Sequence, residues 1–271
     1  NLIVGSSILA AKQIYSRNHK SVFNVAGGLH HAMPNNASGF CIFNDPVIAI
    51  NTLLGFGLKP AYIDIDCHHG DGVQQAFYET DQVLTISIHE SGKYIFPGTG
   101  FTYETGMGKG KGYSVNIPLH PYTTDDIYIE TFKNIVPKLI RLFSPDVIVA
   151  QLGIDTHYSD PLTHLSLTTQ GYSQIVETIK NLGHPVLALG GGGYNPQAVS
   201  RGWANAFAIL SNHVLEDNIP DIYKSKYSVS TISDKQQPEL SSSISELAHK
   251  AAKQSLMDIE NSILPLIKNN A

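Results

Sequence analysis

Six short apolar runs punctuate the chain, at residues 22–25, 61–66, 83–88, 113–117, 146–151 and 185–189. Several are continuous rather than alternating, the pattern of strands covered on both faces. Between many of them the apolar spacing takes the helical period, over 46–54, 124–143 and 168–182, and 195–210 follows the last run. The stretch 168–182 is closed by Gly183 with Pro185 just beyond, a common way to end a helix. The repetition predicts an α/β fold with a mostly parallel central sheet and helices on both faces, in three layers. Ligands of such sheets bind beyond the carboxyl ends of the strands.

The two ends read differently. Leu2, Ile3, Ile8, Leu9 and Ile14 recur at near-helical spacing, so the chain opens inside a helix and a preceding segment is expected. Residues 211–241 turn polar and predict a loosely ordered connection. Ile244, Leu247, Ala251, Leu256, Ile259 and Ile263 then mark an amphipathic terminal helix. The expected organisation is one main domain over 1–211, with the connection and helical tail of 212–271 packed on it.

Composition narrows the class. Of 271 residues 42% are apolar and 15% charged, the latter well under the roughly 25% of ordinary soluble proteins, which implies a large core and function at few sites. A net charge of −5 without a basic block argues against direct nucleic-acid binding. Cys41 and Cys67 form no CxxC, so neither a disulfide framework nor a cysteine zinc site is implied. No run approaches the ~18 apolar residues of a membrane span, and no secretory layout opens the sequence. No membrane association and a cytoplasmic location are expected.

The densest chemistry is Asp64-Ile65-Asp66-Cys67-His68-His69-Gly70-Asp71, directly after the apolar Ala61-Tyr62-Ile63. Carboxylates this crowded at a buried strand end cost several kcal/mol each, in rough terms, unless a cation or proton neutralises them. A surface acidic turn is the competing reading, disfavoured because the run continues a buried-looking strand. Three further loops place polar groups after apolar runs: Ala26-Gly27-Gly28-Leu29-His30-His31, Gln151-Leu152-Gly153-Ile154-Asp155, and Leu189 followed by four glycines and Tyr194. If their strands are neighbours in one parallel sheet, all four loops open on one edge. Asp66, His68 and Asp155 then form a three-ligand set with an open position, the mark of catalytic zinc, where a bound water loses its proton near neutral pH. Oxygen and nitrogen donors without sulfur equally accept Fe²⁺, Mn²⁺ or Co²⁺.

His30 and His31 need separate partners, and Asp64 and Asp71 are the spare carboxylates. Beside a metal site the pair are candidates for general acid–base work, though either alone would more often be structural. Tyr194, behind glycines that permit a sharp turn, is a candidate donor to a developing oxyanion; an exposed strand-exit tyrosine is the alternative. The glycines are no dinucleotide fingerprint, since Asn195 stands where GxGxxG needs glycine. Gly39-Phe40 and Phe96-Pro97-Gly98-Thr99-Gly100 put aromatics in loops, to line an apolar channel or to pack in the core.

These strings resemble the zinc-dependent histone deacetylase family of the arginase/deacetylase fold. The carriers are AGGLHHA (26–32), ASGFCIFND (37–45), YIDIDCHHGDGVQQAFY (62–78), FPGTG (96–100) and LGGGGY (189–194), in the family's order and covering roughly 2–211. Within it LTISIHESGKYIFPGTG (84–100) and HYSDPLTHLSLT (157–168) look closest to bacterial and archaeal acetoin utilisation deacetylases. The resemblance implies hydrolysis of Nε-acetyl-lysine, with Zn²⁺ on Asp66, His68 and Asp155. It implies His31 with Asp71 as principal acid–base, His30 with Asp64 tuning the electrostatics, and Tyr194 bonding the amide oxygen. Gly39, Phe40 and Phe96 would grip the lysine methylenes, with Leu162 at the rim. It also implies a structural K⁺ near Asp64 and Ser87, held in part by the backbone carbonyls of Asp66 and His68. The implied partner is an acetylated protein or peptide, such as a metabolic acyl-CoA synthetase. Family members carry about a hundred further residues before the point matching Leu2, including a strand and a substrate-orienting loop, so a sheet short of an element is expected. Three alternatives stay open: an acetylpolyamine or other small-molecule amidohydrolase, a two-manganese ureohydrolase of the same fold, and an inactive acetyl-lysine binder.

Overall fold

The computed structural model describes residues 1–270. All six apolar runs become strands of one sheet: β1 (Ser21–Asn24), β2 (Pro60–Asp64), β3 (Leu84–Glu90), β4 (Ser114–Leu119), β5 (Val147–Gln151) and β6 (Val186–Leu189). Every pairing is parallel and the order across the sheet is β1-β6-β5-β2-β3-β4. From β2 the chain steps outward through β3 to β4, then crosses back to lay β5 against the other side of β2, with β6 beyond it. The direction of winding therefore reverses between β2 and β5, and at such a switch point the loops leaving adjacent strands diverge and open a crevice.

Parallel strands need crossovers, and helices supply them. They are α1 (Leu2–Tyr15), α2 (Asp45–Gly55), α3 (Asp71–Phe77), α4 (Asp125–Phe143), α5 (Thr169–Lys180), α6 (Pro196–Leu210), α7 (Asp221–Tyr227), α8 (Ser242–Ser262) and α9 (Leu264–Asn270). Successive strand residues face opposite layers. Ala61 and Ile63 join one apolar core with Phe132, Leu139 and Ile175, while Tyr62 joins a second with Ala11, Ile50 and Leu53. Two cores on the two faces of one sheet make the three-layer α/β architecture.

Sequence periodicity places the long helices within a few residues. It misses α3, which is too short to show a period and lies inside the polar run. It also misreads 211–241. That stretch carries α7, buries Ile219 at 6% exposure, and sends Asp234 inward, its side chain 5% exposed. The connection is ordered by buried ionic contacts, which composition does not register. Beyond it α8 packs along β4 and α4, with Ala248, Ala252 and Ile259 buried and Ser255 Oγ donating to the carbonyl of Pro118 (2.7 Å).

Candidate active site

Loops leaving β1, β2, β5 and β6 converge at the switch point. β2 ends at Asp64, so strand sidedness governs only that residue, and the next five turn across the sheet edge. Asp64 faces Tyr62 and the β1 loop: its Oδ2 accepts the Tyr62 hydroxyl and meets His30 Nδ1, each at 2.7 Å. Asp66 and His68 face the loop after β5. Their ligating atoms and that of Asp155 lie within 4.8 Å of one another, and all three residues are buried.

The two carboxylates are held from several directions. Asp66 Oδ2 accepts Gln151 Nε2 and the Gly192 N–H, both at 2.7 Å, and Asp66 Oδ1 accepts the His68 N–H at 3.0 Å. Asp155 Oδ1 accepts the Cys67 N–H at 2.7 Å. His68 Nδ1 sits 2.8 Å from Asp155 Oδ2 and 3.2 Å from Asp66 Oδ1. Burial lowers its pKa, but the bonds and charges of Asp155 and Asp66 outweigh that and push the imidazole up to about 11. Asp155 in turn is pushed up to about 7 by burial and by the charge of Asp66. Among the described residues no lysine or arginine pairs with either carboxylate. A buried donor set of two oxygens and one nitrogen, faced by His68 and, at 3.9 Å from Asp66, by His30, fits a divalent ion, which would displace a proton from His68 and balance the charge more completely.

Glycines make room for this packing. A Cβ on Gly192 would lie 2.2 Å from Asp155 Oδ2, and one on Gly153 would lie 2.3 Å from Asp66 Oδ2. Gly39, with φ +49°, seats the His31 ring, whose Cδ2 would be 2.3 Å from an added Cβ.

His30 and His31 stand beside the cluster with rings 4.0 Å apart. His31 Nδ1 meets Asp71 Oδ1 at 2.7 Å, and the two Nε2 atoms face each other at 3.0 Å. Each Nδ1 opposite a carboxylate carries its proton, so that close approach requires one further proton between the rings: two lone pairs or two N–H groups would repel. Burial lowers His30, but Asp64 and then Asp66 raise it to about 9. Burial and the neighbouring charge of His30 lower His31. The shared proton therefore belongs to His30, and His31 Nε2 is its unprotonated acceptor.

Tyr194 is 36% exposed, and burial followed by the charges of Asp66 and Asp155 raises its phenol, keeping it protonated. Its ring meets Phe40 edge-on at 5.9 Å, and Phe96 meets His31 edge-on at 5.0 Å. Phe40 stands 83% exposed at a turn with φ +64°, and Leu162 is 46% exposed. Asp160 ties these parts together, its two oxygens accepting the Tyr194 N–H (2.8 Å) and the Leu162 N–H (3.0 Å). Ser87 pairs with Asp64 in the β2–β3 register, its hydroxyl 2.8 Å from His89 Nδ1. His69 bonds Thr99 and Gln74, and burial pushes it down to about 3, a structural role.

Sequence reasoning passes over two residues that organise the site. Gln151, fully buried, bonds Asp66 and the Gly28 carbonyl and accepts the Gly153 N–H, joining three loops. Its signal is an amide closing an otherwise apolar strand. Asp160 offers only its position five residues after a metal-ligand candidate.

Comparison with known proteins identifies the family. A model of the histone deacetylase domain matches residues 1–210. Acetoin utilization protein AcuC of Bacillus subtilis is 46% identical over 211 residues, covering 75% of this chain and 54% of the relative. Human histone deacetylase 1 is 42% identical over 219 residues, covering 81% and 45% respectively. The chain thus spans about half the length of these curated relatives. A crystal structure of an HDAC homologue from Aquifex aeolicus superposes with a TM-score of 0.83 at 33% identity, covering 93% of this chain and 72% of that one. No helix among the described residues is long and apolar enough to cross a membrane. With a deacetylase-domain match over most of its length and relatives above 40% identity, the chain belongs to the histone deacetylase family.

Proposed function

We propose that the protein hydrolyses the amide of Nε-acetyl-lysine to lysine and acetate, using zinc held by Asp66, His68 and Asp155. When bound, the ion supplies Lewis acidity toward the carbonyl oxygen and toward the attacking water. The chain's own groups do the rest. His31, oriented through Nδ1 by Asp71, would exchange its Nε2 contact with His30 for one with the water, take the water's proton there and return it to the leaving amine. His30 stays cationic between Asp64 and His31 and keeps His31 from gaining a second resident proton. Tyr194 remains a phenol and donates to the developing oxyanion. Phe40 and Phe96, with Gly39 behind them, would flank the lysine methylenes, and Leu162 would sit at the rim. A structural K⁺ beside Asp64 and Ser87, reached also by the carbonyls of Asp66 and His68, belongs to the same reading.

The observation that carries this reading is the buried Asp-His-Asp set with the carboxylate-bonded His30–His31 pair beside it. A two-manganese ureohydrolase fits less well. The segment after Asp155 offers only Asp160 as a further carboxylate, engaged by two backbone N–H groups, and the described residues contain one metal-type cluster. The substrate we infer is an acetylated protein, with a metabolic acyl-CoA synthetase as the partner to assay first and acetylpolyamines as the comparison, and the setting is the cytoplasm. Turnover of a fluorogenic acetyl-lysine peptide tests the reaction: it should vanish with chelator, return with zinc, and fall by about a hundredfold or more in Tyr194→Phe. Zinc-loaded protein that cleaves no acetyl-lysine peptide would sink the reading.

A further inference from the structure

The polar connection after α6 reaches the 157–160 loop beside the site through one residue. Asp234 Oδ2 accepts the Thr169 N–H at 2.8 Å and its hydroxyl at 2.9 Å, and meets His157 Nε2 at 2.9 Å; Oδ1 accepts an Arg201 N–H at 2.9 Å. Both Asp234 and His157 are buried, at 5% and 1% side-chain exposure. A carboxylate at Nε2 fixes the proton there and leaves Nδ1 as an acceptor. Ser159 donates to it twice, its N–H at 3.2 Å and its hydroxyl at 2.8 Å from His157 Nδ1.

Ser159 then holds the residue after Tyr194. The Asn195 side-chain amide donates to Ser159 Oγ at 2.8 Å and to its carbonyl at 3.1 Å, while Asn195 Oδ1 caps α6 through the Gln197 N–H. Next along the same loop, Asp160 accepts the Tyr194 N–H itself. Residues 157–160 thus form a bracket that grips Tyr194 from its own backbone and from its neighbour. The far end of the bracket is bolted to Asp234, some forty residues beyond the tyrosine in sequence.

We propose that Asp234 is a positioning residue for the Tyr194 phenol, acting through His157 and Ser159, so that the C-terminal connection is a working part of the site. This rests on the reading of Tyr194 as the oxyanion donor. Four groups bonded to one carboxylate fix its place, and each link of the relay is hydrogen-bonded to the next. A donor that must meet the oxyanion within hydrogen-bond reach loses effect when its loop drifts, and the loss appears in kcat because the contact forms in the transition state.

The test compares zinc-loaded wild type, Asp234→Ala, Ser159→Ala, Tyr194→Phe and the two double variants with Tyr194→Phe, on an acetyl-lysine peptide. Asp234→Ala and Ser159→Ala should each lower kcat about tenfold with KM within about twofold, and cost under about twofold once Tyr194 is already phenylalanine. Equal losses in both backgrounds, or no loss in either, overturn the proposal. Unchanged turnover in Tyr194→Phe alone sinks the tyrosine's role instead, a distinguishable result. Ser159→Ala leaves the bonds of Asp234 to Thr169, Arg201 and His157 in place, so it decides the matter if Asp234→Ala fails to fold. Amide hydrogen exchange over 190–195 supplies a readout independent of turnover: it should quicken in both variants while α4 is unchanged, and unaltered exchange there also overturns the proposal.

Discussion

A methyl group at Gly192 is the smallest perturbation that reaches the metal site. The Gly192 N–H donates to Asp66 Oδ2 at 2.7 Å, while an added Cβ would stand 2.2 Å from Asp155 Oδ2 and 2.9 Å from Asp66 Oδ2. Ordinary contact begins near 3.4 Å, so either the backbone retreats and loses that hydrogen bond or a carboxylate moves by about 1 Å. Both outcomes disturb groups that aim the ligands. Disturbance of such supporting contacts typically costs ten- to a hundredfold in metal affinity, or about 1.4–2.8 kcal/mol. Gly192→Ala is therefore expected to bind zinc ten- to a hundredfold more weakly in competition with a chromophoric chelator. Gly153→Ala, whose Cβ meets Asp66 Oδ2 at 2.3 Å, should behave alike, and Gly5→Ala, with nothing within 4 Å, should bind as wild type. Thermal unfolding in excess chelator separates a lost site from a lost fold. Wild-type affinity in Gly192→Ala, within threefold, would refute the argument that this carboxylate pair is sterically set.

Other expectations follow from the same contacts. His31→Ala should lower kcat by about 10²–10⁴ while zinc content stays at one per chain, because His31 bonds none of the three ligand candidates; loss of metal in that variant would count against the acid–base role. Leu139→Ala, emptying a fully buried position on α4, should cost about 2–5 kcal/mol in urea unfolding, with a value under 1 indicating a core that collapses to fill the gap. The bonds of His157 and Thr169 and the charge of Arg201 hold the Asp234 carboxyl below its ordinary 3.8 against the opposing effect of burial. A carboxyl depressed by folding stabilises the native state above its unfolded pKa and loses that contribution as pH falls through the folded value. Asp234→Asn should therefore be less stable than wild type at pH 7, and the gap should narrow below about pH 4; a gap constant with pH would show that the charge contributes nothing.

The strands were legible because buried parallel strands are short continuous apolar runs, and each of the six shows as one. Their order was not. Nothing local in 61–66 says that β5, and not only β3, lies beside it; that adjacency depends on how two layers of helices cover the sheet. The metal-type cluster was legible from types and positions, as Asp66, His68 and Asp155 close apolar runs with groups that have no cheap reason to be buried. Counting spare carboxylates named Asp64 and Asp71 as partners of the two histidines, and only the family resemblance said which takes which. Gln151, Asp160 and Asp234 escaped because an amide or carboxylate whose partners are backbone N–H groups or distant side chains carries no spacing. For 211–241, polarity was read as looseness, although a polar stretch can be tied down by a few buried ionic contacts.

The reversal of winding between β2 and β5 also sets when the site can come into being. His68 and Asp155 are separated by 87 residues, and everything from α3 to α4 must be looped out before they meet. Closing so long a loop is slow compared with forming the local elements within it. During synthesis Asp66 and His68 emerge well before their third companion and wait as an ordinary hydrated turn. Capture of an ion there would coincide with the docking of β5 on β2, and its binding energy would add to the closure of the two halves of the sheet. A chain ending before Val147 would retain most of the characteristic motifs and lack Asp155, one of the three groups of the cluster.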